Sequence, residues 1–389
     1  MKKKIIILGS TGSIGSTTLK IVDKKKSSFK VVLLSAKDNY SLICKQIQKY
    51  KPKYFVITNS SVFIKVKKKF KKRNINILNN YYKINFKTKI DLVISAIPGI
   101  AGLSPTLSIM KFSKKILLAN KESVICGWHL IKQASAKHQV KIVPIDSEHF
   151  SILKLIENHK LNYIRKIYLT ASGGPFLNYK PYQFKKIKPK DALKHPKWNM
   201  GKKISIDSST LMNKILEIIE AQKLFNISSK KLEIIIHPNS LVHAIVVFKN
   251  GLTKMLYHQT TMITPIANAI FDGKLDINDF YKYTSDDKKN IESLIFKKVN
   301  SKIFPAIKLK DKANEFPSSS IIINAANEVL VDQFLDKKIT YNDIIKGIEY
   351  ILRDRNYKKY AIKRPKTIKQ ILDIDVWAKN KILNKFYYD

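Results

Sequence analysis

Carboxylates are scarce in this chain: 29 Asp and Glu stand against 73 Lys and Arg in 389 residues, a formal charge of +44. Arginine is scarcer still, with only Arg73, Arg165, Arg353, Arg355 and Arg364 present. Base-edge readout leans on the planar Arg fork, so the deficit argues against a specific nucleic-acid partner and leaves only weak contact with polyanions. The lysines are spread along the whole chain beside abundant Ile and Asn, all residues with AT-rich codons. That pattern reads as mutational bias, with solvated surface lysines as its result. The two cysteines, Cys44 and Cys126, lie far apart and outside any Cys-x-x-Cys spacing. They exclude a disulfide framework and a thiolate metal site, and a cytoplasmic location is expected. No apolar run reaches the roughly 18 residues of a membrane span, so no membrane partner is expected. The opening Met1-Lys-Lys-Lys-Ile-Ile-Ile-Leu8 is too short in apolar residues for a signal peptide's core of about 7–15 and reads as a first strand.

What is present is ordinary globular material, 44% hydrophobic, in a chain long enough for two or three packed domains. Through the first 150 residues, short β-branched runs alternate with helix-like stretches: Ile5–Leu8, Val31–Leu34, Tyr54–Thr58, Asp91–Ile97, Ile116–Ala119 and Lys141–Ile145. Continuous apolar strands separated by crossovers imply a doubly wound parallel sheet covered on both faces. Polar clusters follow the strands, at 9–15, 35–39, 98–102, 120–122 and 146–149, and therefore fall on the carboxyl edge where such sheets bind ligands. Beyond residue 150 the strands Ile164–Thr170, Leu232–His237 and Leu241–Lys249 look antiparallel, the last closed by Asn250-Gly251. From about residue 306 the pattern is helical.

Gly9, Gly12 and Gly15 follow a strand and precede a helix, a spacing that lets a pyrophosphate approach a helix N-terminus, although a plain tight turn would use it too. An acidic residue at the end of strand two favours NAD and a basic one NADP; here Lys37 and Asp38 are adjacent, with Lys37 tilting the choice slightly to NADP. Asp146 and Glu148 are two apart, so in an extended segment both carboxylates point one way and could hold Mg²⁺ or Mn²⁺. The alternatives are a solvated pair, or a helix starting at Ser147 with an acidic first turn. His149 is expected to pack or hydrogen-bond, not to ligate. In 207–217, Ser208 is the expected N-cap, and Asn213, Lys214, Glu217 and Glu220 form one polar stripe opposite Leu211, Ile215, Ile218 and Ile219. The stripe suits a phosphate with a metal-binding carboxylate a turn further on, or is a solvated face; Glu220 is expected in solvent. Ser172-Gly-Gly-Pro175 offers a hydroxyl and amides to an anion, or is only a turn. Trp198, with His195 and Met200 in the weakly periodic stretch 180–203, would cover a ligand or pin a surface loop.

These residues closely resemble the 1-deoxy-D-xylulose 5-phosphate reductoisomerase family over essentially the whole chain. The resemblance is carried by Gly-Ser-Thr-Gly-Ser-Ile-Gly (9–15), Leu-Leu-Ala-Asn-Lys-Glu-Ser (117–123), Pro-Ile-Asp-Ser-Glu-His (144–149) and Ser-Gly-Gly-Pro-Phe (172–176). It continues in His-Pro-x-Trp-x-Met-Gly-x-Lys-Ile (195–204), Asp-Ser-x-Thr-x-Met-Asn-Lys-x-Leu-Glu (207–217), Ile-His-Pro-x-Ser (236–240) and Asn-Ala-Ala-Asn-Glu (324–328). The resemblance implies an NADPH-dependent rearrangement and reduction of a phosphosugar to 2-C-methyl-D-erythritol 4-phosphate, with one Mg²⁺ or Mn²⁺ per active site held by Asp146, Glu148 and Glu217. It assigns the substrate phosphate to Ser172, His195, Ser208, Asn213 and Lys214, and the hydroxyl end to Lys121 and Ser147. It assigns NADPH to Thr11, Gly12, Ser13, Ile14, Asn39, Asn120, Glu122 and Gly201, with Lys37 added by the strand-two argument, and makes the segment around Trp198 a closing flap. The family's usual Ala-Gly-Lys-Asn reads here as Ala36-Lys37-Asp38-Asn39, which bears on 2′-phosphate binding and not on the reaction. The expected organisation is a Rossmann-like NADPH-binding domain at 1–146, an α+β catalytic domain at 147–275 with the flap at 194–204, a linker at 276–305 and a C-terminal helical bundle at 306–389, assembled as a homodimer.

Overall fold

The computed structural model describes residues 2–198, 200–282 and 294–387. The expected flap and linker therefore lie in part, at 199 and 283–293, outside the described residues. The chain forms two compact units, one made of Met1–Ser123, His129–Phe150 and Met262–Thr284, the other of Val124–Trp128, Ser151–Thr261 and Ser285–Asp389.

The first unit is built on Lys3–Leu8 (β1), Phe29–Ala36 (β2), Tyr54–Ile57 (β3), Asn76–Leu78 (β4), Leu92–Ser95 (β5), Lys115–Leu118 (β6) and Lys141–Pro144 (β7). All seven pair in parallel, in the order β4-β3-β2-β1-β5-β6-β7. The apolar runs mark the strands because the sheet is buried on both faces: Ile5, Ile6, Ile7 and Leu8 are all fully buried. With β2 on one side of β1 and β5 on the other, winding reverses beside β1, and the loops after β1 and β5 diverge there. Edge strand β4 was not anticipated; its three residues carry no apolar run that a pattern could register. The helix Ile263–Phe271 also belongs to this unit: Phe271 packs edge-on against Phe29 at 5.7 Å, and the Lys115 ammonium donates to the Ala269 carbonyl at 2.6 Å.

The second unit holds Ile164–Ala171 (β8), Leu232–Ile236 (β9), Val242–Phe248 (β10), Thr253–Tyr257 (β11) and Lys297–Lys298 (β12), ordered β11-β10-β8-β9-β12. The expectation of an antiparallel sheet is corrected for one pair. β8 and β9 run parallel, because the helices Lys202–Thr210 and Met212–Phe225 lie between them and supply the long crossover that a parallel return requires. β10 and β11 form the hairpin that Asn250-Gly251 implied, with Gly251 at φ +88°. C-terminal helices Ser319–Leu335, Tyr341–Leu352 and Ile368–Tyr387 complete the unit. Phe334 meets Tyr341 at 5.7 Å, and Tyr341 meets Phe176 at 5.3 Å, so the helices share a core with the loop that follows β8.

Gly15 shows how tightly the first turn is drawn. A Cβ there would lie 2.2 Å from the Gly9 carbonyl oxygen and 2.6 Å from Ser10 Cα, both rigid backbone, whereas at Gly12 it would make only an ordinary 3.5 Å contact. Gly15→Ala should destabilise the protein by about 2 kcal/mol, as overpacking does, while Gly12→Ala should be near neutral. Urea unfolding of both variants tests this; equal stability would show that the turn yields.

Candidate active site

In the first unit the expected residues gather where β1, β2, β5, β6 and β7 end. Thr11, Gly12, Ser13 and Ile14 form the turn into the helix Ser13–Lys24, whose N-cap Gly12 has no side chain to occupy the first-turn amides, which leaves an anion cradle. Lys37, Asp38 and Asn39 are exposed after β2, and Asn39 caps the helix Tyr40–Tyr50 through Leu42 N at 3.1 Å. Asn120 caps the helix Lys121–His138 by accepting from Ser123 N at 2.6 Å. Its amide group donates to the carbonyls of Ile97 at 2.5 Å and Gly99 at 2.9 Å, and to Glu122 at 3.3 Å, which ties the β5 loop to the β6 loop.

At the end of β7 the backbone is not extended. A helix runs over Ser147–Ile156, and Asp146 precedes it, with its Oδ1 accepting from Glu148 N at 3.2 Å and facing His149 Nδ1 at 3.1 Å. The two carboxylates therefore owe their placement to an N-terminal cap and a first turn, not to strand alternation. Lys121 Nζ stands 3.4 Å from the other Asp146 oxygen, and Ser147 Oγ donates to Glu148 at 2.5 Å. His149 is fully buried and hydrogen-bonded, the packing role expected of it.

In the second unit, Ser172 follows β8. Its Oγ lies 3.0 Å from His195 Nε2 and accepts from Gly174 N at 3.0 Å. His195 Nδ1 accepts from Trp198 N at 2.9 Å and from Lys197 N at 3.2 Å, so the ring proton sits on Nε2 and is donated to Ser172. Burial, and then the Lys214 charge, push His195 down to about 4, so the imidazole is neutral at pH 7. Gly201 is exposed at the N-cap of the helix Lys202–Thr210.

The Ser208 expectation is corrected. Ser208 lies in the last turn of that helix, its carbonyl accepting from Leu211 N at 3.2 Å. Leu211 takes the left-handed conformation at φ +68°, and a second helix begins at Met212, because the apolar run after residue 211 packs as a separate buried rod. The polar stripe of that rod is not solvated: Asn213, Lys214 and Glu217 are buried, with Glu217 only 1% exposed. Asn213 Nδ2 donates to one Glu217 oxygen at 2.5 Å and Lys214 Nζ to the other at 2.6 Å. Glu220, expected in solvent, is fully buried, since every residue from Met212 to Ala221 is covered.

Some polar groups were given no role by the sequence. Asp207 accepts from Lys203 and from Asn327, each at 2.7 Å, giving the Asn324–Glu328 motif a structural task. Lys223 donates to the Ile125 carbonyl and to Ser320 Oγ at 3.1 Å, beside the non-helical Gly127, and burial lowers its pKa to about 8. His243 and His258 stack at 3.8 Å, a pairing that only the Asn250-Gly251 hairpin brings about.

Comparison with known proteins covers nearly the whole chain. The model described as 1-deoxy-D-xylulose 5-phosphate reductoisomerase matches residues 5–127, that of the same enzyme's C-terminal domain matches 142–225, and that of the DXP reductoisomerase C-terminal domain matches 258–381. The chain is 46% identical to the 1-deoxy-D-xylulose 5-phosphate reductoisomerase of Pelagibacter ubique over 98% of both chains, and 38% identical to that of Clostridium novyi over 99% of this chain and all of that one. Among solved structures, the Zymomonas mobilis enzyme in complex with NADPH aligns with a TM-score of 0.87 at 30% identity, covering 99% of each chain. A DOX-P reductoisomerase in complex with NADPH, fosmidomycin and magnesium aligns at 0.91 and 31%, covering 99% of this chain and 98% of that one.

His195 and His258, whose pKa values burial lowers to about 4 and about 3, contribute to the loss of stability in acid. Unfolding frees each ring to take up a proton near its ordinary 6.5, so stability is intact above that pH and is lost as pH falls from 6.5 towards the folded values. The urea midpoint should drop between pH 7 and 5, and drop less in His258→Asn than in the parent. An equal drop would remove His258 from the account.

Proposed function

The chain belongs to the 1-deoxy-D-xylulose 5-phosphate reductoisomerase family, and from that premise we propose which of its residues carry the reaction. The activity is the NADPH- and metal-dependent rearrangement and reduction of 1-deoxy-D-xylulose 5-phosphate to 2-C-methyl-D-erythritol 4-phosphate in non-mevalonate isoprenoid biosynthesis. The observation that carries the site assignment is Glu217: a buried carboxylate held on both oxygens by Asn213 and Lys214, in a chain with few carboxylates. Burying such a charge is costly unless partners hold it, and here Asn213 and Lys214 do.

Asp146, Glu148 and Glu217 are proposed to hold one divalent ion. The donor set is oxygen only, which fits a hard ion such as Mg²⁺, with Mn²⁺ the alternative of the same ligand chemistry. When bound, the ion polarises the substrate's carbonyl and hydroxyl oxygens and NADPH supplies the hydride. The remaining steps belong to the chain. Lys214 and Asn213 orient Glu217, and with Ser172, His195 and Ser208 they bind the phosphate. Neutral His195 acts there as an Nε2–H donor, not as a cation. Lys121 and Ser147 bind the hydroxyl end, and Lys121 balances the charge of Asp146. Thr11, Gly12, Ser13 and Ile14 present backbone N–H groups to the pyrophosphate, Lys37 binds the 2′-phosphate end, and Asn39, Asn120, Glu122 and Gly201 complete the NADPH contacts. Trp198 covers the substrate and excludes water.

The proposal includes NADPH binding by 1–146, catalysis by 147–275 with the flap at 194–204, a linker at 276–305 and a helical domain at 306–389. A homodimer and a cytoplasmic location complete it. That neither Cys44 nor Cys126 is in a disulfide supports the latter, and no helix among the described residues is long and apolar enough to cross a membrane.

NADPH oxidation should require both 1-deoxy-D-xylulose 5-phosphate and Mg²⁺ or Mn²⁺; no turnover with either metal would sink the assignment. Glu217→Gln should lower turnover about 100-fold or more by removing a ligand charge. A variant with parental rate and metal dependence would remove Glu217 from the metal site.

A further inference from the structure

We propose that His258 is a positioning residue for Trp198: it backs the His243 ring against which the indole rests, and so holds the loop ready for substrate. The proposal rests on the reading of Trp198 as the residue that covers the substrate.

The geometry begins with an irregular hairpin. β10 pairs with β11 through Val242↔Tyr257 and Ala244↔Leu256, with a register shift between, so His243 is the extra residue of a bulge. Bulges re-aim a side chain that regular alternation would send elsewhere. The next backbone bond, His258 N to the Leu241 carbonyl at 3.0 Å, keeps the chain paired one step past the end of β11. Both imidazoles then stand on the same side, stacked with centroids 3.8 Å apart and planes 15° from parallel. The Trp198 ring meets His243 at 6.1 Å and 74°, the edge-to-face arrangement aromatic quadrupoles favour.

Each imidazole is locked by backbone. His258 Nδ1 lies 2.8 Å from the Gln259 carbonyl, which places the ring proton on Nδ1. His243 Nε2 lies 3.2 Å from the His258 carbonyl and donates to it. His258 thus supplies its neighbour with both a ring face and an acceptor. Its own Nε2 is buried without a hydrogen-bond partner, so what the side chain gives the stack is its ring face and not a second polar contact. Burial, with His243 adding to it, holds His258 to about 3, so it brings no charge into the stack at neutral pH. A fixed seat for the indole removes part of the ordering cost of closing the loop over substrate, and this belongs in KM more than in kcat.

The test uses two substitutions in the full-length protein. His258→Asn keeps a side-chain donor but removes the ring, whereas His258→Phe keeps the ring and removes the donor. KM and kcat for 1-deoxy-D-xylulose 5-phosphate are measured for both. Trp198 emission and acrylamide quenching are followed in a background where Trp128 and Trp377 are changed to Phe. His258→Asn should raise KM about five-fold with kcat within about two-fold, and should red-shift and expose Trp198; His258→Phe should recover most of both effects. An unchanged KM and emission in His258→Asn would overturn the proposal. So would a KM change without an emission change, or a His258→Phe variant as impaired as His258→Asn. A merely structural role would lower the active fraction and leave KM and the folded protein's emission alone, which also counts against it. Emission needs no turnover: if the parent itself fails to act on the substrate, the functional reading fails while the ring column is still decided.

Discussion

A carboxylate taken out of water must be met by charge and hydrogen bonds, and that requirement organises the polar interior of this protein. Glu217 is nearly inaccessible, and its two oxygens are held by Asn213 four residues before it and Lys214 three before it on the same helix. Asp207 is held by Lys203 and Asn327, and Asp146 by Lys121 and the buried His149. Each cluster constrains backbone as well as side chains. Asn327 fastens the C-terminal helix Ser319–Leu335 to the helix Lys202–Thr210, and the left-handed Leu211 lets the chain restart a helix with Asn213, Lys214 and Glu217 on one stripe.

The histidines follow the opposite logic. Burial disfavours imidazolium at both sites, helped by the Lys214 charge at His195 and by His243 at His258, so both rings are neutral. Each is then a directional donor whose tautomer is set by its neighbours. For His195 the two backbone amides on Nδ1 leave Nε2–H aimed at Ser172. One lysine, Lys214, adds to burial in keeping this ring uncharged.

How much could be read beforehand differs between the two sheets. The buried parallel strands announce themselves as β-branched runs with glycine or polar residues at their carboxyl ends, and six of the seven were legible, including the edge on which Asn120, Lys121 and Asp146 lie. β4 and β12 were not, because two or three residues cannot show a period. The direction of β8 against β9 was also hidden, as strand composition does not encode the direction of the neighbour. Glu220 and Ser208 misled for a related reason. A polar residue on a helical stripe reads as solvated until other segments bury it, and a serine ahead of a helix reads as its cap even when it closes the helix before.

Residue order alone therefore carried the parallel sheet, the glycine turn, the ordered motifs and the identity of the scarce carboxylates, since these depend on local periodicity and covalent spacing. Long-range packing settled whether those groups are charged, buried or paired. Desolvation and hydrogen bonding depend on residues far away in the chain: Asn327 on Asp207, Lys214 near His195, and His258 stacked on His243 across a bulged hairpin. No single helix or strand holds both members of such a pair, so neither the pairing nor its effect on charge can be read from one element.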